Sequence, residues 1–94
     1  MSYEKQFAAL AHPLRQSILT SLGASPKSVR ELTDDFDATQ PAISQHLKIL
    51  REAGFVDAKA AGAKNIYSAR PQSLEELRVF LEQHWQSLLD SLND

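Results

Sequence analysis

The run Thr39-Gln-Pro-Ala-Ile-Ser-Gln-His-Leu-Lys-Ile-Leu-Arg-Glu-Ala-Gly54 decides how the rest of the chain is read. Thr39 has the hydroxyl of a good N-cap, Pro41 falls in the first turn where a missing N–H costs nothing, and Gly54 suits the position just past a helix end. The run therefore predicts a helix over 40–53, about four turns long. Ile43, Leu47, Leu50 and Ala53 recur at helical spacing and form one narrow apolar stripe that must face a core. Outside the stripe stand Gln40, Ser44, Gln45, Lys48 and Arg51, with Glu52 the one nearby acid. Many amphipathic helices carry such a face only to meet water. Amides, hydroxyls and cations in this density also match base edges and phosphate oxygens. The flanking chain weighs between the two.

Upstream, Tyr3, Phe7 and Leu10 share one edge of a short first helix. His12-Pro13 interrupts it, and Pro13 opens a second helix through Leu14, Ile18, Leu19 and Leu22. Gly23 is expected to end that helix, leaving Ala24-Ser-Pro-Lys27 as a linker. Ser28-Val-Arg-Glu31 has the form of a capping box, in which the Ser28 hydroxyl accepts from the N–H of residue 31 while the Glu31 carboxylate reaches back. A third helix is thus predicted over about 29–36, burying Val29, Leu32 and Phe36. Only Asp37-Ala38 separates it from the helix that opens at Gln40. Two short helices joined so tightly, the second polar outside, make a helix-turn-helix, although the turn lacks the glycine often found there.

After Gly54 the period changes. Phe55–Lys59 and Asn65–Arg70 read as strands joined by a loop over Ala60–Lys64, a wing directly after the polar helix. Lys59 and Lys64 can reach backbone phosphates from there, or serve solubility alone. Pro71 closes the hairpin, and Ser73-Leu-Glu-Glu76 reads as a second capping box. From it Leu74, Leu77, Leu81, Trp85, Leu88 and Leu92 recur in coiled-coil fashion, widened by Phe80 and Leu89. Such a seam either folds back on its own core or pairs with a second copy. Its length favours pairing, with Tyr3, Phe7 and Leu10 completing the interface, because a monomer would expose a large apolar patch.

Ninety-four residues suffice for one small domain, and the absence of cysteine excludes disulfides and thiolate metal sites. Nothing at the N-terminus resembles a signal peptide and no long apolar run occurs, so a cytoplasmic chain without membrane contact is expected. The net charge of −2 is unevenly spread: −1 over residues 1–39, +3 over 40–70 and −4 over 71–94. A basic middle between acidic ends fits a two-faced domain that attracts phosphates on one side. His12, His46 and His84 lie on separate elements, and neither a phosphate-cradling glycine loop nor a catalytic triad is evident, so no enzyme is expected.

Three stretches carry a family resemblance: Ala9-Leu-Ala-His-Pro-Leu-Arg-Gln-Ser-Ile-Leu19, Val29-Arg-Glu-Leu32 and Gln40 through Val56. On these the chain resembles the ArsR/SmtB family of small winged-helix repressors over nearly its whole length. The resemblance implies a homodimer with five helices and a wing, paired through its first and last helices, on an inverted-repeat operator in double-stranded DNA. It turns Gln40, Ser44, Gln45, His46 and Lys48 toward DNA. With the helix start at Thr39 and Pro41, Arg51 further along, and Lys64 on the wing, these make up the expected DNA-binding set. Arg15 matches an arginine of the family's second helix, where a structural ion pair competes with a phosphate contact. The family's metal sensors carry paired cysteines on the third helix, and Ser28 and Arg30 fall at those positions here; a hydroxyl and a cation are poor soft-metal ligands. On the last helix Glu82 and His84 stand without the second histidine of the family's other site.

The expectation is therefore a mostly α, winged helix-turn-helix domain over 1–94, with four helices, two strands and a fifth helix in that order. Helices near 3–10 and 73–92 form its dimer interface. It would act as a sequence-specific, metal-independent repressor needing no cofactor, its effector unspecified. The alternative is a protein-interaction module that kept the fold and lost DNA binding, which the acid excess favours and the polar face over 40–48 opposes.

Overall fold

The computed structural model describes residues 3–93; Met1, Ser2 and Asp94, which enter the sequence reading only through charge and N-terminal character, lie outside them. The elements run α1 (Glu4–Leu10), α2 (Pro13–Ala24), β1 (Lys27–Ser28), α3 (Val29–Phe36), α4 (Gln40–Glu52), β2 (Val56–Ala61), β3 (Lys64–Ala69) and α5 (Pro71–Asn93). Five helices and an antiparallel hairpin agree with the expected architecture. The sheet, however, has three strands, ordered β1-β3-β2.

The third strand corrects the reading of Ala24–Lys27 as a linker. Lys27 pairs with Tyr67 and Ser28 with Ile66, antiparallel, on the open side of β3. Two residues are too short to show a period of two, so the strand leaves no trace in the hydrophobic pattern. Gly23 does not end α2 either; the helix continues through Ala24 and stops where Ser25 turns extended. The hairpin is tighter than the expected five-residue loop. Ala61 pairs with Lys64, leaving Gly62-Ala63 as the turn, with Gly62 at φ +64°. A two-residue hairpin turn of this hand calls for positive φ, which glycine adopts without cost.

The helix ends follow from local chemistry. Ser28 Oγ accepts from the Glu31 N–H at 3.2 Å while Glu31 accepts from the Ser28 N–H at 3.1 Å, so the first capping box forms as expected. The missing turn glycine is replaced by Asp37 in the left-handed region, φ 49°, where a short polar side chain is tolerated. At the end of α4 the Gly54 N–H donates to the Arg51 carbonyl at 3.0 Å and the Phe55 N–H to the Leu50 carbonyl at 2.9 Å, with Gly54 at φ +85°. This is the paired bond of a Schellman stop. The second capping box does not form. Pro71 begins α5 two residues earlier than expected, and the Ser73 hydroxyl donates to the Gly54 carbonyl, fastening the start of α5 to the end of α4.

Ile18, Leu22, Leu32, Ile43, Leu47, Leu50, Phe55 and Val56 are essentially without exposure and bring α2, α3, α4 and β2 into one core, with Ala9 and Leu77 at its edge. Beyond Leu77 no residue of α5 is buried, so most of its length leaves the core.

Candidate nucleic-acid interface

The buried stripe of α4 fixes which side chains point outward. Ile43, Leu47 and Leu50 are fully enclosed, and a helix clamped along one face has no rotational freedom. Gln40, Pro41, Ser44, Gln45, Lys48 and Arg51 consequently lie exposed on the opposite side. Among the described residues none of the polar members of that row makes a side-chain hydrogen bond or ion pair. The arrangement offers unpartnered amide, hydroxyl and cationic donors on a rigid rod. Thr39 is exposed but occupied: its hydroxyl accepts from the Ala42 N–H at 3.2 Å, and its contribution is to start the helix.

His46 is placed differently. Its ring is half-buried against His12, centroids 4.6 Å apart, and its Nδ1 lies 3.2 Å from Arg15 Nη1. The Arg15 guanidinium also donates to the Ala9 carbonyl at 2.7 Å and the Ala8 carbonyl at 3.1 Å. Arginine can only donate, so Nδ1 of His46 accepts and the imidazole is neutral. Burial lowers the His46 pKa, and the neighbouring His12 and Arg15 lower it further. His46 is thereby tied into the junction of α1, α2 and α4 instead of standing in the outward row, and Arg15 is the tie.

On the hairpin, Lys59 and Lys64 are exposed, Lys59 opposite Ile66 and Lys64 beside the turn. Arg70, at the far end, meets Asp57 at 3.7 Å. Lys64 and Gln40 share a recess of about 370 Å³ with Ser28, Val29, Arg30 and Asn65. Sequence spacing alone does not single out Arg30 or Asn65. The missing signal is β1: its pairing with β3 at Lys27–Tyr67 and Ser28–Ile66 sets the start of α3 against the hairpin, so that Arg30 and Lys64 line one recess.

The expected interface residues divide. Tyr3 packs on Phe80 at 4.5 Å between ring centroids, and Phe7 lies 6.2 Å from the same ring, so α1 rests on α5 within one chain. Leu10 and Leu81 are half-buried. Leu77 is 4% exposed and belongs to the chain's own core. Leu74, Trp85, Leu88 and Leu92 are open to solvent, as are Val79 and Leu89; Trp85 is 57% exposed and Leu92 83%.

The family model for bacterial regulatory proteins of the arsR family matches residues 12–58, from His12 through the recognition helix to the first long strand. The HTH-type transcriptional regulator Rv2034 of Mycobacterium tuberculosis is 36% identical over 88 residues, which cover 94% of this chain and 82% of that protein. The chain belongs to the ArsR family. The HTH-type transcriptional repressor SmtB of Mycobacterium tuberculosis is 44% identical over 59 residues, covering 63% of this chain and 44% of the repressor. An ArsR-like transcriptional regulator from Rhodococcus sp. RHA1 superposes with a TM-score of 0.82 at 29% identity, over 96% of this chain and 88% of that one. This ArsR-family chain is accordingly a transcriptional regulator with a DNA-binding winged helix-turn-helix, not an enzyme. Among its described residues no group of three or more His, Cys, Asp or Glu side chains converges as a metal would require, and no helix is long and apolar enough to cross a membrane.

Proposed function

We propose that this ArsR-family chain is a homodimeric, metal-independent repressor that places α4 in the major groove of an inverted-repeat operator. One observation carries the reading: the outward row of α4 is polar and unpartnered while its inner stripe is fully buried. Ser44 and Gln45 lie where a recognition helix meets base edges, and Lys48, Arg51 and Lys64 flank them as phosphate contacts. Gln40 and Pro41 stand at the helix start, where the axis enters the groove, with Thr39 as its cap. His46 contributes by holding the angle of α4 through Arg15, not by touching DNA. The apolar residues left open on α5 supply the pairing face, and the lack of cysteine, with serine and arginine at the family's thiol positions, leaves no soft-metal trigger.

Selection from a random duplex pool tests this. The reading predicts enrichment of an inverted repeat whose half-sites are about 10 base pairs apart or a small multiple of one turn. DNA affinity should be unaltered by zinc, nickel or arsenite. An unenriched pool with no salt-dependent binding would leave the fold as a protein-interaction module.

A further inference from the structure

A second feature of the DNA-facing side is the recess between the start of α3, the start of α4 and the hairpin. Its lining includes Arg30, Gln40, Lys64 and Asn65. Among the described residues the side chains of these four have no hydrogen-bond or ion-pair partner, and Arg30, Gln40, Lys64 and Asn65 are all exposed. Two cations and two amides that share one hollow, none of them in a hydrogen bond or ion pair, form a donor cluster in want of an acceptor. Lys64 feels the Glu31 carboxylate at long range only, since Glu31 accepts from the Ser28 N–H and is held ionised mainly by that bond and by the Ser28 hydroxyl, with Lys64 and Lys27 as lesser contributors. Lys27 does not join the hollow; its ammonium donates to the Ser21 carbonyl at 3.1 Å and lies 4.0 Å from Asp35. The capped end of α3 offers nothing by itself. The donors are side chains from three elements.

We infer that this recess is a seat for a phosphate group, with Arg30 as its principal ligand, Lys64 as a second cation and the Gln40 and Asn65 amides as lateral donors. A planar guanidinium and an ammonium lining one recess can share a single tetrahedral oxyanion. The seat rests on the DNA-binding reading insofar as it borders α4, because a phosphodiester flanking the groove would fall there. A soluble phosphate presents the same chemistry.

The test uses the full-length protein and Arg30→Gln, with Arg30→Lys as the conservative variant. Arg30 is exposed and unbonded, so thermal unfolding of both should match the wild type. If the seat holds a backbone phosphate, Arg30→Gln weakens operator and random DNA alike and reduces the slope of log affinity against log salt by about 0.9 for each seat engaged. Arg30→Lys should keep most of the slope. If the seat holds a soluble phosphate, pyrophosphate added to the DNA-free protein shifts the amide resonances of Arg30, Gln40, Lys64 and Asn65, and Arg30→Gln abolishes the shifts. Either response supports the seat and identifies its occupant. An unchanged salt slope together with no localised pyrophosphate response overturns it. Should wild-type protein fail to bind DNA at all, the DNA-binding reading falls, and the pyrophosphate titration alone decides the seat.

Discussion

At the scale of single residues, His46 ties α4 to α1 and α2 through Arg15, and Gly54 ends it. His46 accepts from Arg15 only while neutral, and folding lowers its pKa. The unfolded chain therefore binds this proton more readily than the folded one, so the stabilisation from His46 is complete above the unfolded histidine pKa, about 6.5, and is lost as pH falls below it. Urea midpoints should fall between about pH 7.5 and pH 5.5, and should fall less in His46→Gln, whose amide oxygen remains an acceptor at both pH values; identical declines would remove His46 as the cause. Gly54 sits at φ +85°, and a Cβ there would meet only Ser73 Oγ at 3.5 Å, an ordinary contact. The cost of Gly54→Ala is thus backbone strain, about 1–2 kcal/mol by urea unfolding. A stabilised or neutral variant would mean that the Schellman stop relaxes freely.

At the scale of elements, α4 is legible from sequence because every local preference agrees. The Thr39 cap, early Pro41, stripe of Ile43, Leu47 and Leu50, and Gly54 stop all name the same helix, and the structure has it at Gln40–Glu52. Leu50→Ala should therefore destabilise by about 2–5 kcal/mol in urea unfolding, since Leu50 has no exposure and its neighbours are equally enclosed; a loss below about 1 kcal/mol would show the core collapsing around the gap. The wing is legible too, though its turn is tighter because Ala61 and Lys64 still pair. β1 is illegible, since Lys27 and Ser28 become a strand only through β3, a partner almost forty residues later in the chain. The same gap hides the recess, because Arg30 and Lys64 come to line it only once β1 has paired with β3. Ser73 misleads for a related reason: a serine three residues before a glutamate fits a capping box, but a nearby carbonyl at Gly54 takes its hydroxyl instead. The outward placement of Gln40, Ser44, Gln45 and Lys48 could be read from spacing, whereas the inward turn of His46 depends on Arg15 and His12, from another part of the chain.

At the scale of the whole molecule, the chain is elongated. Its extents are 53 × 23 × 21 Å and its radius of gyration is 15.3 Å, against about 12 Å for a compact chain of this length. The excess comes from α5, whose 23 residues span about 34 Å and which is buried only at Leu77. Leu74, Val79, Trp85, Leu88, Leu89 and Leu92 are left open on it, and a second copy would cover them. Leu88→Glu should leave the core intact yet place like charges across the pairing face, giving a monomer mass by sedimentation; an unchanged dimer mass would move the interface elsewhere. Pairing of two copies, as proposed, would set two α4 helices at a fixed separation, and that separation would choose the operator. The most direct test of the account is the affinity of wild-type protein and Gln45→Ala for a selected operator and for random duplex at matched salt. Gln45 is exposed and unpartnered, so its loss should leave the fold untouched. Reading of base edges by α4 predicts that Gln45→Ala loses roughly 1–3 kcal/mol on the operator and little on random DNA. Equal losses on both, or no loss on either, would contradict it.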